Sequence, residues 1–160
     1  MLRSTWLAPS WCLVVCAIAA CTPASYASTA GLSKDDAVLE AVFLHELAND
    51  KSRDDEVVCL AVRGQTSDGS ALLAAIQARH PTAVRNIECS GGGPSGPVTS
   101  HGRPAVRFDI GPVEWRDDGT ARVKGGGAHR GGMVVDEREY TVVKTGNGWK
   151  ITDQKPGLQI

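Results

Sequence analysis

Apolar positions along this chain fall first into a helical and then into an alternating pattern. Between Ser33 and Asp50, Leu39, Phe43 and Leu47 form one stripe, and Ala37, Ala41, Leu44 and Ala48 form another. Two stripes predict a helix covered on much of its circumference. Ser33 caps it, and Asp36 three residues later completes a box-like start. EVVCLAVR, Glu56 to Arg63, has a continuous apolar centre and predicts an interior strand. SDGSALLAAIQARHP predicts a second helix, capped by Ser67 or Asp68 and stopped by Pro81. Ala83 to Ser90 is a weaker strand. Gly91 to Gly102, with two prolines, is expected to be an irregular loop.

The last third alternates. Val106, Phe108 and Ile110 share one face, and Ala105, Arg107 and Asp109 the other. Gly111-Pro112 should bend this strand, and Asp117-Asp118-Gly119 should turn it. The returning strand points Ala121 and Val123 inward. A glycine stretch, VKGGGAHRGGMVV, then separates it from the strand MVVDEREYTVVK. That stretch reads as a bulge or wide turn with His129 and Arg130 at its tip. Asn147-Gly148, between two alternating runs, is the strongest hairpin signal in the chain. The order predicts an α+β fold: two helices packed on a curved antiparallel sheet, closed by a β-meander. One domain is expected over residues 34–160.

The N-terminus changes the picture from fold to location. Arg3 is the only charge in the first 33 residues, and an apolar run of about ten follows from Trp11 to Ala20. A bilayer core needs roughly 20 such residues, so this run predicts an export signal rather than a span. Two cuts fit. Ile18-Ala19-Ala20-Cys21 matches the lipobox of bacterial lipoproteins, giving a leader over 1–20 and a lipid on Cys21. Ser25-Tyr26-Ala27 fits ordinary signal peptidase, giving a leader over 1–27. The uncharged, small residues of 21–33 are expected to be a flexible linker.

Removing Arg3 leaves 16 basic residues against 18 acidic ones, a formal charge of 16 − 18 = −2. A nearly neutral, mixed-sign surface has no footprint for nucleic acid. Of five cysteines, Cys12 and Cys16 leave with the signal. Cys59 and Cys89 remain whichever cut is used. In an oxidising compartment they predict a disulfide. The alternative, a metal or redox pair, lacks a C-x-x-C and a second pair of ligands.

Motifs with chemistry are incomplete. His45-Glu46 begins H-E-x-x-H, but Asn49 stands where the second histidine belongs. Gly91 to Gly96 matches G-x-G-x-x-G by letter without a helix behind it. Gly126 and Gly131 have P-loop spacing, but Gly132-Met133 follows instead of Lys-Ser/Thr. His45, His80, His101 and His129 are scattered, and no G-x-S-x-G accompanies them. His80, before Pro81, is expected to end a helix. Asp109 and Glu114, five apart, fall on opposite faces of an ideal strand and could act as a carboxylate pair only if Gly111-Pro112 bulges, and Trp115, Tyr140 and Trp149 are expected in the core. No metal site or cofactor is expected.

Glu139 to Ile151, EYTVVKTGNGWKI, resembles the closing hairpin of nuclear-transport-factor-like (SnoaL-like) domains. The chain also resembles small exported bacterial proteins and lipoproteins. The hairpin is a packing motif, and its family spans isomerases, hydrolases and plain binding proteins, so no chemistry follows from it. The expectation is a non-enzymatic domain, periplasmic or lipid-anchored at the outer membrane, that binds an envelope protein or small ligand. His129 and Arg130 are its speculative contacts, and the membrane is met only through the lipid. The alternatives are a SnoaL-like enzyme using Asp109 and His129, or an envelope inhibitor or immunity-type protein contacting through 91–102 and 125–132.

Overall fold

The structure is a computed structural model and describes residues 25–50, 56–64, 69–93, 96–99, 101–130, 133–135, 137–146 and 148–157. The chain enters the fold as a strand, β1 (Ser25–Ala27), inside the segment expected to be a linker. Cys21 lies outside the described residues. Helix α1 (Lys34–Asn49) follows. Its Ser33 cap accepts a hydrogen bond from the Asp36 amide at 3.1 Å, as the sequence pattern predicts.

Next come β2 (Val57–Val62), α2 (Ser70–Gln77) and β3 (Ala83–Arg85). The expected caps Ser67 and Asp68 lie outside the described residues. The N-cap position is Gly69, in the left-handed region at φ +60°. Ala83 to Ser90 is not one strand. A 3-10 turn (Asn86–Glu88) interrupts it and leads into β4 (Cys89–Gly93).

The expected loop over 91–102 is corrected too. β4 pairs with β5 (Gly96–Thr99) through Cys89↔Thr99 and Ser90↔Val98, a separate two-stranded sheet. Glycine is poor in strands on propensity, yet it leaves the backbone donors and acceptors of this ribbon free to pair. The meander completes the chain: β6 (Ala105–Trp115), β7 (Ala121–Arg130), β8 (Met133–Val135), β9 (Arg138–Thr145) and β10 (Gly148–Pro156).

The main sheet runs β1-β10-β9-β7-β6-β2-β3, with β8 on β7. It is mixed rather than purely antiparallel, because β2 is parallel to both β3 and β6. The cause is local. A helix between β2 and β3 is the crossover that brings the chain back to start in the same direction. The α+β class and the curved sheet stand.

The core lies between α1 and the concave side of this sheet. Leu39 and Phe43 of α1 meet Val106, Phe108, Ile110, Val123, Tyr140 and Val142, all essentially without solvent contact. Ala121 and Val123 point inward as their alternation predicts. A second, smaller cluster of Val57, Cys59 and Ala105 sits on the opposite face of β2, with Val84 and Cys89 against it.

Gly111-Pro112 falls in a register break between Ile110 and Val113. The glycine stretch also breaks register, with Asp109 opposite Gly127 but Ile110 opposite Gly125. Gly126 is therefore the extra residue of a bulge within β7. His129 and Arg130 are strand residues, facing Arg107 and Val134 (His129) and Met133 (Arg130) in the ladders, not the tip of a wide turn. Their side chains lie outside the described residues.

Candidate functional site

The β2–α2–β3 crossover places the carboxyl ends of two parallel strands beside the start of a helix. In α/β units ligands collect outside such carboxyl ends. Here a cavity of about 460 Å³ opens at that point, within the size range of small-ligand sites. Leu60, Ala61 and Val62 of β2 form one wall, and Gly69, Leu72 and Leu73 of α2 another. Phe43 of α1 lies at its base, and Arg85, Asn86 and Ile87 close the third side. The connection over 65–68 lies outside the described residues.

Each wall has a local cause. Leu60 and Val62 alternate with Cys59 and Ala61, so β2 turns leucine and valine toward α2 and its cysteine to the far face. Leu72 is buried and Leu73 only partly so, as expected at the rim of an amphipathic helix. The 3-10 turn throws Ile87 outward. It is 84% exposed and is the sole large hydrophobic so exposed among the described residues. Asn86 Oδ1 is the opposite case, buried with no hydrogen-bond partner among the described residues. An acceptor in that state favours a donor from a ligand. Arg85 sits half-exposed at the rim with its Nε 3.4 Å from Glu88 Oε1.

The third wall is held from behind. Cys59 and Cys89 form the expected disulfide, with Cα atoms 6.3 Å apart. Cys89 directly follows the turn that carries Asn86 and Ile87, and Cys59 directly precedes Leu60. The bond thus ties the turn to β2 on the face away from α2.

A polar cluster lies elsewhere, at the C-terminal end of α1. The Tyr140 hydroxyl donates to Glu46 Oε1, and both side chains are buried. Arg138 Nη1 stands 3.5 Å from the same oxygen. The His45 ring meets Tyr140 edge-on at 6.0 Å. The Gln154 amide bridges His45 Nε2 at 3.2 Å and Arg138 Nη1 at 3.0 Å. Burial raises the Glu46 carboxyl above the ordinary value, although Tyr140 and Arg138 pull the other way. Burial and the Glu46 carboxylate push the Tyr140 hydroxyl up strongly. Asn49, at the position of the missing zinc ligand, donates to His45 Nε2 at 3.0 Å. It therefore occupies the nitrogen a metal would need. The bulge closes over this cluster: a Cβ at Gly126 would lie 2.5 Å from the Tyr140 hydroxyl and 3.0 Å from Glu46 Cδ. That side has no room for a substrate.

The other sequence candidates disperse. Asp109 is buried and paired with Arg107 at 2.9 Å on its own strand, whereas Glu114 is exposed. His80 follows α2, its amide bonded to Ile76 O at 2.8 Å, and burial then Arg79 lowers its pKa. Tyr140 and Trp149 are core residues, with Trp115 partly buried and its ring 5.6 Å from that of Trp149. Sequence reasoning missed the cavity, because its walls come from four separate segments. It also missed the burial of Glu46.

No protein-family model matches this chain, and no curated protein or solved structure matches it either.

Proposed function

We propose that this is an exported domain that binds a small, largely apolar ligand in the β2–α2 cavity and leaves it chemically unchanged. The cavity itself carries the reading. Seven of the ten lining residues are Phe43, Leu60, Ala61, Val62, Leu72, Leu73 and Ile87, and Gly69, Arg85 and Asn86 complete it. Such a wall recognises an apolar body, and the buried Asn86 oxygen selects a ligand with a hydrogen-bond donor. Among the described residues no nucleophile or acid lines it, which supports binding over turnover. The N-terminal leader supports export, and a disulfide that fixes one wall suits an oxidising compartment. The periplasmic side of the envelope is the location this reading assigns.

The experiment is a fluorescence titration of the oxidised protein with anilinonaphthalene sulfonate, an apolar probe bearing an N–H donor. One saturable site is expected. Ile87→Asp changes an exposed residue, so the fold should tolerate it, and affinity should fall about tenfold, equivalent to roughly 1.4 kcal/mol of lost apolar contact. Leu73→Trp should fill the cavity and abolish the signal. Undiminished binding in both variants would place the probe elsewhere and reject the reading.

A further inference from the structure

The β2–α2 cavity is apolar along its walls and charged at one point of its rim. Building on the ligand reading above, we infer that it takes a medium-chain N-acyl amino acid. The acyl chain lies against the walls, the amide N–H donates to Asn86, and the carboxylate pairs with Arg85.

The charge comes first. Arg85 is the one charged residue on the cavity wall among the described residues. Its Nε lies 3.4 Å from Glu88 Oε1, and the two side chains are 50% and 45% exposed. Water screens such a pair, so it holds the guanidinium weakly. The two terminal nitrogens of Arg85 carry no hydrogen bond among the described residues. A guanidinium with both of those nitrogens free, at the edge of an apolar wall, suits a carboxylate that can take both together. An amine head group would meet the same cation and be repelled.

The donor comes next. Asn86 follows Arg85 directly, and consecutive Cα atoms are about 3.8 Å apart. Its Oδ1 is buried and without a partner among the described residues, so a donor is favoured there. The acid and the donor of the ligand are therefore expected close together. An N-acyl amino acid meets that condition, because its N–H and its carboxyl group are attached to the same carbon. A plain fatty acid brings the acid without the donor, and a fatty amide brings the donor without the acid.

The walls set the chain length. The cavity measures about 460 Å³. At roughly 30 Å³ per water-sized group it holds about fifteen non-hydrogen atoms, which an acyl chain of about eight to ten carbons on glycine supplies. Leu60, Val62, Leu72 and Leu73 flank that chain, and Phe43 at the base stops it.

Glu88 works against the bound acid. Its Oε1 takes both the Arg85 Nε and the Arg85 amide, each at 3.4 Å. A ligand carboxylate must share Arg85 with it, so removing the Glu88 charge strengthens the acid and leaves a neutral ligand unaffected.

The test is isothermal titration calorimetry of the oxidised protein at neutral pH with three probes. They are N-decanoylglycine, N-decanoylglycinamide, which lacks the charge, and N-decanoylsarcosine, whose N-methyl group removes the donor. N-decanoylglycine should bind about threefold tighter than the glycinamide and about tenfold tighter than the sarcosine. Arg85→Gln should abolish the preference for acid over glycinamide. Glu88→Gln keeps an acceptor for the Arg85 amide and should widen that preference about twofold. Misfolding cannot move these two variants in opposite directions. Equal affinity for acid and glycinamide, equal affinity for the N–H and N-methyl forms, or an acid preference that survives Arg85→Gln overturns the inference. If none of the three binds while anilinonaphthalene sulfonate still does, the ligand class is wrong and the cavity reading stands. If the fluorescent probe fails as well, the cavity reading falls with it.

Discussion

Cys89 is bonded to Cys59 across a sequence separation of 30, and that bond joins the turn bearing Ile87 to the strand bearing Leu60. One wall of the cavity is therefore covalently tied to another. Replacing both cysteines by alanine should cost about 3–4 kcal/mol in the chain-entropy model. It should also weaken probe binding, because Asn86 and Ile87 lose their tether. Urea unfolding of the oxidised and alanine forms, followed by probe titration, checks both effects. Unchanged probe affinity in a folded double-alanine protein would separate the disulfide from the pocket.

Gly126 should tolerate no side chain. Its φ is +96°, and a Cβ would strike the Tyr140 hydroxyl and the Glu46 carboxyl group. Gly126→Ala should destabilise by roughly 2–4 kcal/mol, combining left-handed strain with overpacking. Gly119→Ala provides the control. It shares a positive φ, +78°, but nothing lies within 4 Å of its Cβ position. It should cost only about 1–2 kcal/mol. Equal losses at the two sites, measured by urea unfolding, would mean that the bulge does not press on the Glu46–Tyr140 pair.

Glu46 makes stability fall as pH rises. Burial raises its carboxyl pKa above the ordinary 4.5, so the folded state holds a proton that the unfolded state releases. The associated stability is fully present below 4.5 and is lost as pH climbs through the folded value. Glu46→Gln removes this titration while keeping an acceptor for Tyr140. It should gain on the wild type between pH 4 and pH 8, as read from paired urea curves. A gap that instead grows toward low pH would contradict the raised carboxyl.

Tyr140→Phe leaves the Glu46 carboxyl buried without its hydroxyl donor. The expected loss is roughly 1–3 kcal/mol. Circular-dichroism melts of the variant would reveal it, and a variant as stable as the wild type would show that Arg138 alone satisfies the carboxylate.

Much of the fold was legible because its signals are local. Ser33 and Asp36 mark the start of α1, and Asn147-Gly148 marks the last hairpin. The Val106–Phe108–Ile110 alternation gives the inward face of β6. The cysteine pair was legible from the count and from the expected oxidising compartment. Other features were hidden because their causes are non-local. β1 looks like a tether until Gly148, more than a hundred residues away, makes room for it. The glycines of β4 and β5 have little strand propensity, and pairing across a short ribbon adjoining the disulfide is what orders them. Nothing in the helical pattern marks Glu46 as buried, yet Tyr140 and Gly126, contributed by separate strands, bury it. The cavity has no motif at all, since Leu60, Leu73 and Ile87 meet only after the β2–α2–β3 crossover forms.

The β2–α2 cavity is proposed to bind a small apolar ligand. A ¹H–¹⁵N correlation titration of the oxidised protein with anilinonaphthalene sulfonate tests it most directly. Saturable shifts centred on Leu60 to Val62, Leu72, Leu73, Asn86 and Ile87 are expected, with the Glu46–Tyr140 region and β10 unmoved. Shifts that avoid those residues, or none at probe concentrations that saturate fluorescence, would contradict it.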